Sequence, residues 1–369
     1  MRYVIVLSDL GAGGTQRLVL GLAAHLIELG RAVDILTLEA HGTNSFFPIP
    51  EGIHVRGLGL SSESRNSVSA VDANLARVAA LRKTLQRITP DLVLSFLTSN
   101  NVLVLLATIG LRVPAIVTEE SEPAYESTPH AWRLLRRLTY PRARYIVVHS
   151  QGARAFFRGP LARRVHVIAN PVAPCPVKSP LGGEKAERLP IVAAMGRLSP
   201  EKGFDVLLLA FAHIARRCPE WSLIILGDGP EHPRLLRLAE DLGIAERVFL
   251  PGFHRSPAET FVRASIFCSA ARVEGFGLAL CEAMACGLPA VATDAPSGPR
   301  DIVRPGVDGE LVPVDNAAAL GEALVQLMDD PHRRAAYGVR ARDVVARFSP
   351  TRIWADWDGL IDAAGRRRA

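Results

Sequence analysis

Two glutamates eight residues apart, Glu274 and Glu282, bracket Gly275-Phe276-Gly277-Leu278. From Leu278 the sequence reads as a small-residue helix, stopped by Gly287-Leu288-Pro289. Glu274 falls in the loop before that helix and Glu282 about one turn inside it. Eight residues of helical geometry leave two side chains about 80° apart, so both carboxylates can face one ligand. The amides of Gly275, Phe276, Gly277 and Leu278 would add an anion site at the helix start. An acid in an Ala/Leu/Cys helix is costly unless it is paired or faces a ligand, which lifts Glu282 above a solvated helix face. Paired carboxylates also serve glycoside hydrolysis, but no raised-pKa acid opposite a nucleophile is marked here.

Two further segments could hold phosphate. In Gly196-Arg197-Leu198-Ser199-Pro200-Glu201-Lys202-Gly203, Arg197 offers a planar fork and Lys202 a point charge, which suits a diphosphate. A solvated loop with an Arg197–Glu201 surface pair fits that composition equally well. In Ser8-Asp9-Leu10-Gly11-Ala12-Gly13-Gly14-Thr15-Gln16-Arg17, glycines after a short apolar run would let amides approach a phosphate. A nicotinamide-type GxGxxG would need glycine where Gln16 stands, and a tight turn with no ligand is as good a reading.

Such groups need a scaffold. Apolar, β-branched runs alternate with helical patterns along the whole chain. Expected strands are Tyr3–Leu7, Ala32–Leu38, Leu92–Phe96, Ala115–Thr118 and Tyr145–Val148, then Ile191–Ala194, Ser222–Leu226, Val248–Leu250, Ile266–Cys268 and Ala290–Ala292. Helical patterns fall at Gln16–Leu29, Ala73–Ile88, Phe204–Arg217, Pro233–Leu242 and Thr351–Ala364. This alternation reads as βαβ units on parallel sheets, so the fold class is α/β with two doubly wound, Rossmann-like domains. Their ligands would lie beyond the carboxyl ends of the strands, in the cleft that the two domains face across. Residues 1–172 form the first domain, the proline-rich 173–189 a linker, 190–345 the second domain, and 346–369 a last helix with a basic tail.

The chain has 369 residues, 49% hydrophobic and 22% charged, a globular balance that excludes a disordered or fibrous whole. The apolar run near Val102–Leu111 is about half of what a bilayer span requires. Met1-Arg2 leads straight into Tyr3–Leu7, too short for the apolar core of a secretory signal. Five cysteines without a CxxC pair fit a reducing cytosol and argue against a disulfide framework or structural zinc. Residues 1–172 carry 19 Lys+Arg against 12 Asp+Glu, and residues 173–369 carry 24 against 25, so the whole excess of +6 lies in the first half. That half should meet something anionic. Within it, residues 131–144 hold five arginines and no acid beside Trp132, Leu134, Leu135, Leu138 and Tyr140. This reads as a basic amphipathic helix, with Trp132, Arg133, Arg136 and Arg137 expected at an anionic membrane surface or a lipid diphosphate. A solvated arginine face on a core-packed helix is the strongest alternative.

Taken in order, the Gly13-Gly14 turn, the Gly196–Gly203 loop, Gly227-Asp228-Gly229-Pro230 and Glu274-(seven residues)-Glu282 resemble the retaining glycosyltransferases of family 4, which have the GT-B fold. Ser95-Phe96-Leu97-Thr98, Leu138–Ala143, Asn170-Pro171-Val172 and Asp294–Asp301 add a narrower resemblance to bacterial enzymes of the amylovoran and protein-N-glycosylation type. Those enzymes extend undecaprenyl-diphosphate-linked oligosaccharides. The resemblance implies a C-terminal helix returning to the first domain, a nucleotide-sugar donor (UDP favoured) and a lipid-linked diphosphate oligosaccharide acceptor. It implies that Arg197 and Lys202 hold the donor diphosphate, Glu282 the ribose, and Glu274 the transferred sugar, with the amides of Phe276, Gly277 and Leu278 nearby. Gly13 and Gly14 would approach the β-phosphate, with Gln16 and Arg17 on the acceptor side. No cofactor or metal is implied, and the enzyme would work on the cytoplasmic face of the plasma membrane as a peripheral protein.

Two departures stand out. Related enzymes have Glu at the position of Gln16, and often Ser-Glu-Arg-Asn-Asp-Pro where this chain has Thr118-Glu119-Glu120-Ser121-Glu122-Pro123. Glu119 and Glu122 are expected to orient the acceptor hydroxyl, while His149 and His166 read as ordinary strand-end histidines. A nucleotide-sugar epimerase of the same architecture is the main rival. A nucleic-acid binder would use the same basic surface, but no recognition motif accompanies it, so nucleic acid is not expected as a partner.

Overall fold

The computed structural model describes residues 1–39, 45–60, 67–125, 129–177 and 188–365. The chain divides into unit 1, residues 1–170 with 351–369, and unit 2, residues 171–350. Most of the linker expected at 173–189, and the arginine tail 366–368, lie outside the described residues.

Unit 1 is built on a seven-stranded sheet. Its strands are β1 (Arg2–Leu7), β2 (Ala32–Thr37), β3 (His54–Gly57), β4 (Leu92–Phe96), β5 (Ala115–Glu119), β6 (Tyr145–Val148) and β7 (Val165–Val167). The order is β3-β2-β1-β4-β5-β6-β7, with every pair parallel. Helices α1 (Gly14–Glu28), α2 (Ser67–Ile88), α3 (Thr98–Ala107), α4 (His130–Thr139) and α5 (Gln151–Phe156) make the crossovers. The β1 and β4 strands are apolar almost throughout because both faces are covered, as parallel sheets require. Strand order reverses between β1 and β4, which places a crevice at the carboxyl ends of those two strands.

Unit 2 repeats the plan with six parallel strands in the order β10-β9-β8-β11-β12-β13. These are β8 (Ile191–Met195), β9 (Ser222–Leu226), β10 (Val248–Gly252), β11 (Ile266–Ser269), β12 (Ala290–Thr293) and β13 (Gly309–Val312). Its helices include α6 (Phe204–Ile214), α7 (His232–Asp241), α8 (Pro257–Phe261) and α9 (Leu278–Ala285). Here the reversal falls between β8 and β11. The last helix, Pro350–Gly365, buries Ile353, Trp357, Leu360, Ile361 and Ala364 in the core of unit 1. Trp357 is fully buried with its ring 6.2 Å from that of Phe96.

One expectation is corrected. Cys175 and Cys286 form a disulfide across 111 residues, with Cα atoms 4.9 Å apart. The cysteine spacing carries no trace of it, because the pair is made by tertiary packing of the segment after residue 170 onto the last turn of α9. Cys218, Cys268 and Cys281 are buried thiols, and burial pushes the Cys268 and Cys281 thiols far up.

Candidate active site

Both loops that flank the reversal in unit 2 carry the candidate donor residues. The loop after β8 runs Gly196–Gly203 and is tied to the loop after β9. Leu198 N–H donates to the Asp228 carbonyl at 2.9 Å. A Cβ on Gly227, whose φ is +142°, would lie 1.9 Å from the Gly196 carbonyl oxygen, so backbone approach rather than side-chain packing fixes this contact. Gly203 takes φ +63° to start α6. Arg197 is exposed, and its side chain has no hydrogen-bond or ion-pair partner among the described residues. Glu201 accepts instead from the Ser199 hydroxyl at 2.6 Å, so the Arg197–Glu201 pair does not form.

The loop after β11 brings Glu274 to the same edge. Lys202 Nζ donates to Glu274 Oε1 at 3.0 Å and Oε2 at 2.9 Å. The pair is part-exposed, 24% for Lys202 and 18% for Glu274, and lines a small hollow with Gly277 and Ser269. Serine 297 holds the loop by donating to the Glu274 carbonyl at 2.7 Å. Gly277 caps α9 in the left-handed region and offers no side chain to the first-turn amides. Those amides and the helix dipole therefore favour an anion at Leu278. The Phe276 ring is not part of this surface: it is buried edge-on against Phe348, 5.3 Å between centroids. Glu282 is half-buried within α9.

The equivalent edge of unit 1 carries the candidate acceptor residues, and it sorts them differently from the sequence expectation. Gly13 precedes α1 and Gly14 begins it. The Gln16 amide reaches back to donate to Asp9 Oδ1 at 3.0 Å, and the Gly11 N–H donates to the same oxygen at 2.7 Å. Gln16 thus closes the turn rather than pointing outward, whereas Arg17 is exposed and stacks over Phe47 at 5.2 Å. Glu119 is corrected: it is 1% exposed and sealed among Thr98, Tyr140 and Arg136. Burial, then the Glu119 charge, drives the Tyr140 phenol far up, so it stays a proton donor to that carboxylate. Glu122 is 3% exposed, and its Oε2 has no partner among the described residues. Leu97, between β4 and α3, holds φ +74°. Such a conformation in a non-glycine residue costs about 1–3 kcal/mol and collects at functional edges.

The sequence places Glu120 only in a departure from related enzymes and reads His149 as an ordinary strand-end histidine, yet the two meet. His149 Nε2 lies 3.1 Å from Glu120 Oε1, and Thr15 donates to Glu120 Oε2 at 2.9 Å. Nothing in the sequence links residues 15, 120 and 149; only the strand order does.

On α4 the expected membrane residues split. Trp132 packs on the core, and Arg136 is 6% exposed, reaching toward Glu119 at 3.7 Å and donating to the Pro123 carbonyl. Both are withdrawn from any membrane contact. Arg133 and Arg137 are exposed, beside Leu134 at 58% and Leu138 at 64%. Among the described residues no helix is long and apolar enough to cross a membrane.

Two parallel sheets, each with candidate anion-binding loops at its strand reversal, define a two-unit α/β architecture, and the comparisons with known proteins give its class. The chain matches Glycosyl transferases group 1 over residues 182–344 and Glycosyl transferase 4-like domain over residues 13–171. It is 26% identical over 363 residues, 98% of each chain, to a Campylobacter jejuni α-1,4-N-acetyl-D-galactosaminyltransferase acting on a GalNAc-GalNAc-diNAcBac-PP-undecaprenol. Sucrose-phosphate synthase from Thermosynechococcus elongatus superposes with a TM-score of 0.85 at 20% identity, covering 98% of both chains. Anabaena HepE, solved with UDP, superposes at 0.79 and 20% identity, covering 98% of this chain and all of that one. These two likenesses show the GT-B fold. The chain is a glycosyltransferase, and it belongs to family 4.

Proposed function

We propose that the enzyme transfers a sugar from a UDP-sugar, with retention of anomeric configuration and without a metal, to a hydroxyl of a lipid-diphosphate-linked oligosaccharide. The observation that carries this is the Lys202–Glu274 pair beside the uncapped start of α9, with Arg197 exposed in the loop after β8 that also holds Lys202. When the nucleotide diphosphate leaves the anomeric carbon, positive charge builds on the sugar ring and negative charge on the phosphates. Arg197, Lys202 and the α9 dipole strengthen as that charge develops, which is what catalysis requires. Lys202 has three N–H donors and uses two on Glu274, leaving one for a phosphate oxygen. In this reading Glu274 accepts from hydroxyls of the transferred sugar and Glu282 from those of the ribose. The attacking hydroxyl approaches the face the phosphate leaves, and its proton passes to that phosphate. The lipid-linked acceptor is supported by the Campylobacter relative, and UDP by the HepE complex.

A thermal-shift panel tests the donor. UDP-GalNAc, UDP-GlcNAc or UDP-glucose at about a hundred times its Kd should stabilise the protein by about 2.7 kcal/mol, and GDP-mannose should not. Stabilisation by GDP-mannose alone would replace the donor assignment, and loss of transfer in EDTA would refute metal independence.

The exposed face of α4, with Arg133, Leu134, Arg137 and Leu138, is our proposed contact with the anionic cytoplasmic leaflet, where a lipid-linked acceptor resides. Each basic residue near such a surface contributes about 1 kcal/mol. Removing both charges in R133Q/R137Q should therefore weaken flotation with phosphatidylserine vesicles by roughly 30-fold and leave recovery with neutral vesicles unchanged. Equal recovery of the wild type from both vesicle types would overturn the contact.

A further inference from the structure

On the carboxyl edge of the unit 1 sheet, three separate elements converge on one carboxylate. Glu120 stands just past the end of β5, His149 just past β6, and Thr15 in the first turn of α1. The Glu120 side chain is 7% exposed and that of His149 1%. A buried ion pair is a poor device for stability, because desolvation of both charges offsets their attraction. Its presence beside the glycine turn and the strained Leu97, at the edge where such sheets bind ligands, therefore calls for another role.

The hydrogen-bond directions narrow that role. His149 Nδ1 faces the Ile168 carbonyl at 2.8 Å, which can only accept, so Nδ1 carries a proton. Nε2 faces a carboxylate oxygen and is satisfied only when it too is protonated. Burial is the largest influence on this imidazole and pushes its pKa down. The Glu120 charge, the Glu120 hydrogen bond and the Ile168 carbonyl together outweigh it, and the net direction is up. Other charges nearby are committed elsewhere: Glu119 to Thr98, Tyr140 and Arg136, and Asp9 to Gln16 and Gly11. His166, on the neighbouring strand β7, is lowered by burial and by Arg154. Each Glu120 oxygen accepts one bond, from His149 or Thr15, and keeps a second lone pair for a hydroxyl.

Building on the acceptor side of the function proposed above, we propose that Glu120 is the hydrogen-bond acceptor for hydroxyls of the acceptor sugar, and that His149 is its positioning residue, holding the carboxylate only while the imidazole is protonated. Acceptor recognition thereby becomes pH-dependent. As pH rises through the raised His149 pKa, Nδ1 keeps its proton for the Ile168 carbonyl, Nε2–H is lost, and Nε2 turns from donor to a repulsive lone pair, so Glu120 loses its fixed orientation.

Kinetics with UDP-GalNAc and a prenyl-diphosphate-linked GalNAc acceptor, together with 15N NMR of the histidine ring, test it. Glu120→Gln should raise the acceptor KM roughly tenfold or more, since a hydrogen bond to a charged group is lost, while UDP affinity by calorimetry stays within about twofold. His149→Gln keeps an N–H donor toward Glu120 and cannot titrate. Its acceptor KM should match the wild type at low pH and stay flat where the wild-type KM climbs. His149→Phe should keep KM, at every pH, at the raised level the wild type reaches only at high pH. An acceptor KM in Glu120→Gln equal to wild type overturns the proposal, as does a neutral His149 ring throughout pH 5.5 to 8. Should the wild type transfer nothing to this acceptor, the function above fails on its own account, and the ring titration still decides between a held and an unheld Glu120.

Discussion

Lys202→Ala is expected to cut kcat by roughly 100- to 1,000-fold, the usual loss when one preorganised charge partner of a departing group is removed. Stability should hardly move. The Lys202–Glu274 pair is part-exposed, and such pairs contribute no more than about 1 kcal/mol. The contrast between a large rate effect and a melting temperature within a few degrees of wild type is the diagnostic. Lys202→Arg, a cation of different shape, should recover only part of the rate. If Lys202→Ala kept kcat and merely raised the donor KM, the lysine would be binding substrate and transition state alike, and the mechanism above would lose its main cation.

The second large effect is on folding. Trp357→Ala removes the largest fully buried side chain of the last helix and should cost about 3–5 kcal/mol. At 2–4 °C per kcal/mol for a body of this size, the melting temperature of unit 1 should fall by roughly 6–20 °C. Trp357 Nε1 has no partner among the described residues, so Trp357→Phe sacrifices packing but no hydrogen bond. Its penalty should be visibly smaller than that of the alanine variant in urea melts. Equal penalties for the two would mean that the indole nitrogen is hydrogen-bonded, to water for instance, and that its loss dominates.

The central strands were legible because a parallel strand covered on both faces must be apolar along its length, as in Leu92–Phe96 and Tyr145–Val148. The edge strands β3 and β7 and the small β13 were not, since His54–Gly57, Val165–Val167 and Gly309–Val312 are short and half-covered. Helix α3 escaped because eight of its ten residues are buried and leave no amphipathic period to read. On α4 the period was readable in principle: positions 132, 135, 136 and 139 form one inward stripe, and Arg136 lies in it.

The site shows the same division. That Arg197, Lys202 and Glu274 share one sheet edge was legible because loops after strands gather there whatever their sequence separation. Glu119 and Glu120 could not be told apart, because one ends β5 and the other follows it, and the sequence does not say which way each carboxylate turns. Which face becomes polar depends on whether α3 and α4 or the glycine turn lies over it.

The last helix also sets an order on how the chain can be made. Residues 171–350 hold every described strand of unit 2 and precede the last helix in the chain. Unit 1, although its first 170 residues emerge earlier, waits for Ile353, Trp357, Leu360 and Ile361 to leave the ribosome. Until then it presents an apolar gap beside α1 to chaperones and to neighbouring nascent chains, so the half synthesised first cannot close its core until the whole of unit 2 has been made.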